Sequence, residues 1–124
     1  MTLDRRNLSQ FASALEQRAR KLREEVRSGI ARGREENYAA LSGSAHDAGD
    51  EALADLVVDV GTAEVSRDLA ELREIEEAHR RIAAGRYGLC ADCGAGIPLA
   101  RLRAEPAAAR CAGCQARHEK TYGR

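Results

Sequence analysis

The chain has 124 residues, with 20 basic and 20 acidic side chains and a formal net charge of zero. One Phe, three Tyr and no Trp exclude a thick globular core; a composition 32% charged and 3% aromatic instead suits long helices with a narrow buried seam. Such a chain needs a staple, and a metal ion is one of the usual ones.

Met1 to Gln10 carries charges with no apolar run behind them, unlike a secretory signal. No stretch approaches the roughly 20 apolar residues of a membrane span. The expectation is a soluble, cytoplasmic monomer with no membrane partner, in a compartment that keeps thiols reduced. The zero net charge conceals a pattern. Residues 1–42 hold nine basic and six acidic side chains (net +3), residues 43–84 four and eleven (net −7), and residues 85–124 seven and three (net +4). A nucleic-acid binder usually shows one dominant basic face, which this acidic middle does not favour.

From Leu3 to about Leu41 the apolar residues Leu8, Phe11, Leu15, Leu22, Val26 and Ile30 recur at steps of three, four and seven, the stripe of an amphipathic helix. Asp4 is placed to cap it or to sit in its first turn. Gly29 and Gly33 weaken it by about 1 kcal/mol each relative to Ala.

The segment Ser42 to Asp50 breaks the pattern with Gly43 and Gly49, and offers Ser44 and Asp47 as N-caps. A second helix then runs to about Ala84 on Leu53, Leu56, Val57, Val60, Val65, Leu69, Leu72, Ile75 and Ile82, with Gly61 as a soft point and Gly85 placed to end it. Two helices of similar length joined by a short turn pack antiparallel, and the opposite charges of the two arms favour this. The predicted fold is all-α: a helical hairpin or coiled coil over residues 1–84 with an acidic tip near 43–52. Residues 85–124 would form a four-cysteine zinc finger and a short last helix.

The finger rests on the spacing Cys90-x2-Cys93-x17-Cys111-x2-Cys114. Structural zinc takes four ligands in a tetrahedron, and two C-x2-C knuckles supply four thiolates and close the shell. Gly94 and Gly113 would permit tight turns near the sulfurs. A saturated shell leaves no position for a reacting water, so the zinc is expected to be structural and not catalytic. A redox C-x2-C pair needs a βαβ context that is missing. Four unligated cysteines are the bland alternative.

The stretch from Ile82 to Cys114 resembles the zinc finger of the DksA/TraR family of bacterial transcription regulators. The likeness is carried by Gly85-Arg-Tyr87-Gly88 before the first cysteine, by Ile97, Arg101 and Pro106, and by the 17-residue gap. Ala91 departs from the family's usual acidic residue or Ser. Upstream, Asp47-Ala-Gly-Asp50-Glu-Ala52 is similar to an Asp-x-x-Asp-x-Ala motif at the coiled-coil tip of longer members, so the resemblance covers roughly residues 45 to 115. Relative to the longest members the N-terminal end looks short.

This resemblance implies a partner: RNA polymerase, entered through its secondary channel, with Asp47, Asp50 and Ala52 near the catalytic centre. Arg67 would help hold the hairpin in the channel; by charge alone it reads as a salt-bridge partner on a solvated face. Some members help bind the nucleotide ppGpp with basic residues, but the matching positions here hold Glu74, Glu105 and Gln115. Carboxylates repel a polyphosphate, so the expectation is that the chain does not build that site or builds it with other residues.

Four cysteines suffice without His118. His79 is expected near the hairpin seam, His46 on the surface beside the tip, and Arg117, Lys120 and Arg124 in a basic tail. Two rivals stand beside the polymerase reading. One is a nucleic-acid-binding zinc module using Arg86, Arg101, Arg103 and Arg110. The other is a redox-sensing zinc protein. Neither accounts for acids at the turn, and neither promoter choice nor the sign of regulation is written in the sequence.

Overall fold

The computed structural model describes the backbone of residues 3–42 and 48–122, and the side chains of residues 3–35 and 63–122. Among the described residues there are four helices, α1 (Arg5–Ser42), α2 (Ala48–Ala83), α3 (Leu99–Ala104) and α4 (Ala112–Tyr122). Leu89 and Gly96 form one isolated antiparallel bridge. The fold is the expected antiparallel helical hairpin followed by a four-cysteine finger and a short last helix. No helix among the described residues is long and apolar enough to cross a membrane.

Each long helix has a chemically defined end. At the start of α1 the Asp4 carboxylate accepts the Asn7 backbone N–H at 2.7 Å, an N-cap that satisfies a donor the helix cannot serve itself. At the end of α2 the chain turns through Gly85, whose φ is +73°. The Gly85 N–H reaches the Ile82 carbonyl at 3.1 Å and the Arg86 N–H the Arg81 carbonyl at 2.8 Å. These two bonds are a Schellman cap with glycine at C′, as Gly85 predicts.

Two compact units divide the chain: Met1–Arg18 with Arg73–Arg124, and Ala19–Leu72. In the first, Phe11, Leu15, Ile75, Ala78, Tyr87, Ile97 and Leu102 are buried. The ends of both long helices thus share a core with the finger. Residue 88 shows how close the approach is. Gly88 has φ +84°, and a Cβ there would lie 2.9 Å from Leu3 Cδ1.

In the second unit Ala19 and Leu22 are buried, and α1 meets α2 near Gly29 and Val65. Arg32 and Glu64 pair there at 3.9 Å with both side chains more than half exposed, a contact that contributes little. The seam corrects the expected stripe. Ile30 is 42% exposed and Leu69 39%, whereas Gly29 is buried. The buried positions run Phe11, Leu15, Ala19, Leu22 and Gly29, so small residues fill places where the larger Ile30 would hold the helices apart.

Residues 43–47, including the proposed caps Ser44 and Asp47 and also His46, lie outside the described residues. Asp50, Ala52 and Gly61 lie within α2, in the part whose side chains are not described.

α1 continues through Gly29 and Gly33, and the two glycines differ. A Cβ at Gly29 would meet Val65 Cγ2 at 3.1 Å, while one at Gly33 would meet nothing within 4 Å. Gly33→Ala is therefore expected to stabilise the protein by about 0.5–1 kcal/mol through helix propensity alone. Gly29→Ala should gain less or lose stability, because Val65 must move. Thermal denaturation of both variants checks this, and equal gains would contradict the close approach at Gly29.

Candidate metal centre

The finger is built from the end of α2 outward. The Gly85 turn sends the chain back so that Tyr87 enters the core, 6% exposed, with its ring centroid 5.6 Å from that of Phe11. Its hydroxyl donates to the Pro106 carbonyl at 2.8 Å. Burial pushes the Tyr87 phenol up to about 12, against the pull of the Arg81 cation. The Gly-x-Tyr-Gly sequence thus has a mechanical meaning: a helix stop, a buried anchor, and a second left-handed glycine where Leu3 leaves no comfortable room for a side chain.

The first knuckle follows. The Cys90 N–H donates to the Ala95 carbonyl at 2.8 Å and the Gly94 N–H to the Cys90 carbonyl at 2.9 Å, a tight turn that Gly94 closes with φ +77°. The Cys93 N–H points at Cys90 Sγ, 3.5 Å away. Ala91 takes part through its backbone, its N–H donating to the Ala109 carbonyl at 2.8 Å, which explains why an apolar residue is tolerated there.

The second knuckle is made differently from the expectation. Gly113 lies inside α4 and is absent from the positive-φ glycines, so it forms no left-handed turn. Cys111 precedes α4 and Cys114 lies in its first turn, with the Gln115 N–H bonded to the Cys111 carbonyl at 2.8 Å. Helical spacing, not a glycine turn, brings these two sulfurs together.

The segment between the knuckles contains α3, which sequence periodicity misses because six residues are under two turns. Leu102 and Ile97 are both fully buried. Backbone carbonyls of residues 106–110 are then gathered by side chains. Arg81 approaches the Ala107 and Ala108 carbonyls at 3.5 and 3.4 Å, and Arg101 Nε donates to the Arg110 carbonyl at 3.0 Å. Arg110 in turn pairs with Asp92 at 2.9 Å, tying one knuckle to the other. Arg81 is 7% exposed. Burial lowers its pKa, an effect partly offset by Glu77.

All four Sγ atoms lie within 4.8 Å of one another, and Cys93 Sγ and Cys111 Sγ are 4.0 Å apart. Tetrahedral zinc with Zn–S distances of about 2.3 Å requires sulfurs about 3.8 Å apart, so the cluster fits Zn2+. Cys90, Cys93, Cys111 and Cys114 would hold it, and the ion would supply the cross-link that joins the two knuckles. Cys90 and Cys114 are each 3% exposed, whereas Cys93 is exposed and Cys111 half-buried. For the free Cys90 thiol, burial acts upward, but backbone N–H groups of Cys93, Cys111 and Asp92 outweigh it and lower the pKa to about 6. The free Cys114 thiol is pushed up to about 12, first by its hydrogen bond with Cys111 and then by burial, while Arg117 pulls the other way. A divalent cation reverses such balances and holds its thiol ligands deprotonated.

Other candidates fall elsewhere. Arg67 is exposed on α2. His118 stacks against Tyr122 with centroids 5.0 Å apart. His79 is half-buried, and its Nε2 is buried with no hydrogen-bond partner. Arg117 leaves the basic tail: its Nη2 lies 3.1 Å from Cys114 Sγ. The sequence carried one signal for this contact, the i, i+3 spacing of Arg117 from Cys114 on a helix.

Residues 85–120 match the prokaryotic dksA/traR C4-type zinc finger. The chain is 38% identical over 85 residues to the RNA polymerase-binding transcription factor DksA of Caulobacter vibrioides, a match covering 68% of this chain and 55% of that protein. It is 43% identical over 56 residues to an uncharacterised protein of Aquifex aeolicus, covering 45% of this chain and 39% of the relative. The chain thus spans about half the length, or less, of these two relatives. Its fold is similar to that of transcription factor DksA2 from Pseudomonas aeruginosa, with TM-score 0.77, 26% identity, and coverage of 98% of this chain and 89% of that one. With the four thiols gathered on the two knuckles of that finger, the chain belongs to the DksA/TraR family of C4 zinc finger proteins.

Proposed function

We propose that this protein regulates transcription by binding RNA polymerase, with the helical hairpin of residues 1–84 entering the secondary channel and the finger of residues 85–124 fixing its base. Asp47, Asp50 and Ala52 form the tip that approaches the catalytic centre, and Arg67 assists docking. Cys90, Cys93, Cys111 and Cys114 are the zinc ligands with the ion in a structural role, and the protein is a regulator and not an enzyme. The likeness to DksA2 over 98% of the chain carries this reading. It is supported by the likeness to the RNA polymerase-binding transcription factor of Caulobacter vibrioides and by the acids Asp47 and Asp50 in the sequence between the two apolar stripes. Acids near a helix N-terminus suit a basic or metal-containing cleft.

The nucleic-acid reading loses part of its basis in the finger. Of the four arginines it requires, Arg101 is committed to the Arg110 carbonyl and Arg110 to Asp92. Only Arg86 and Arg103 of the four are exposed. The ppGpp site is proposed to be absent. Glu74 and Glu105 bring negative charge, and Gln115 is engaged with Glu119 at 3.0 Å.

Co-purification with RNA polymerase and transcription in vitro test the proposal. Wild type and Asp47→Asn/Asp50→Asn are expected to bind the enzyme with similar affinity. Only the wild type should change the yield from a responsive promoter, while the double variant loses most of the effect. A double variant that regulates like wild type would end the tip assignment, and a wild type that does not bind polymerase would end the whole reading.

A further inference from the structure

The four thiols do not share one environment. Cys93 and Cys111 have access to water, which can solvate their negative charge. Cys90 and Cys114 are each 3% exposed and must find compensation inside the protein, because a buried anion without a partner is strongly destabilising. Cys90 receives a backbone N–H, that of Cys93, at 3.5 Å. Cys114 receives a cation, the Arg117 guanidinium, at 3.1 Å. Four thiolates around Zn2+ leave two net negative charges, so a fixed positive charge against one sulfur acts on the whole cluster.

We infer that Arg117 is a positioning residue of the zinc site, whose guanidinium donates to the buried Cys114 sulfur, offsets the cluster's negative charge and slows loss of the ion. The inference rests on ligation by the four cysteines and goes beyond it. It assigns a residue that binds no metal itself. Outer partners of metal ligands typically change metal affinity about 10- to 100-fold, and Arg117 holds that position for Cys114. The position also fits the helix. Cys114 and Arg117 stand three residues apart in α4, on neighbouring turns of one face, so folding α4 places the cation without help from another element. Lys120 stands one turn further on and is exposed.

The test uses the full-length, zinc-loaded protein and three variants. Arg117→Met keeps the apolar stem and removes the charge, Arg117→Lys keeps the charge and loses the fork, and Lys120→Met makes the same charge change away from the sulfur. Zinc transfer to a chromophoric chelator is followed in each, and the cobalt-substituted forms report the sulfur-to-metal charge-transfer band. Arg117→Met is expected to lose zinc at least 10-fold more readily and to shift the cobalt band. Arg117→Lys should fall between it and wild type, and Lys120→Met should match wild type in both measurements. Transfer from Arg117→Met within threefold of wild type, with an unchanged cobalt band, would overturn the inference. Equal losses from Arg117→Met and Lys120→Met would also overturn it, because net charge and not the contact would then be responsible. A wild-type protein that takes up no zinc would instead defeat the four-cysteine ligation itself, which separates the two failures.

Discussion

Cys114→Ser is expected to abolish tight zinc binding and to unfold the finger while the long helices keep most of their structure. A serine hydroxyl stays protonated at neutral pH and does not replace a thiolate. Structural zinc contributes on the order of 10–16 kcal/mol of apparent binding free energy in small zinc-dependent folds, so losing one of four ligands removes most of what orders the finger. Cys114 is also buried at 3% exposure, and its replacement leaves the Arg117 cation facing a neutral hydroxyl in place of a thiolate. Helices α3 and α4 contribute 6 and 11 residues against 38 and 36 in α1 and α2. Far-ultraviolet circular dichroism should therefore fall only modestly, while bound metal falls from one equivalent to none. Chelator treatment of the wild type should reproduce both changes. Cys93→Ser should be milder in stability, because Cys93 is exposed and water can reach the altered site. One equivalent of zinc retained by Cys114→Ser in the presence of a competing chelator would contradict the four-thiolate assignment.

Much of this centre was legible because two cysteine pairs at C-x2-C spacing form the pattern of a four-thiolate zinc site. The helix stop at Gly85 was legible for a similarly local reason, since only a residue at ease with positive φ closes that cap. What sequence could not give depends on contacts between distant segments. The hairpin seam runs through Gly29 and not through Ile30, because seam positions are settled by how near two helices come and not by hydrophobicity alone. Arg81, Arg101 and Arg110 look like surface charges in the sequence. In the fold Arg81 and Arg101 gather carbonyls of the segment before Cys111, which as backbone acceptors need partners, and Arg110 pairs with Asp92. α3 is not visible in the sequence because its six residues, with Leu102 as the buried one, are too few to show a period. The division into hairpin and finger by sequence also says nothing of the compact unit that joins Met1–Arg18 to Arg73–Arg124. That unit arises because a chain with few large apolar residues uses Phe11, Tyr87 and Ile75 in one core.

The same core supplies the second large effect. Phe11→Ala is expected to destabilise the protein by about 3–5 kcal/mol, the usual cost of deleting a buried aromatic ring. That is a large fraction of the 5–15 kcal/mol by which domains of this size are stable, and the melting temperature should fall on the order of 10–20 °C. All four cysteines remain, so zinc content below the transition should stay at one equivalent, unlike the Cys114→Ser result. Phe11→Leu keeps most of the apolar volume and should cost below about 1.5 kcal/mol. The ring contact with Tyr87, 5.6 Å between centroids, makes a sharper statement possible. Tyr87→Phe removes the hydroxyl that serves the Pro106 carbonyl and should cost about 1–2 kcal/mol, yet it preserves the aromatic pair. Its effect should add to that of Phe11→Leu. Tyr87→Leu removes the ring, and its effect should fail to add by about 0.5–1.5 kcal/mol, the coupling of an aromatic pair. Chemical denaturation of the single and double variants measures both cycles. Simple additivity in the Phe11→Leu/Tyr87→Leu cycle would mean that the first helix and the finger share a core without this pair holding them together.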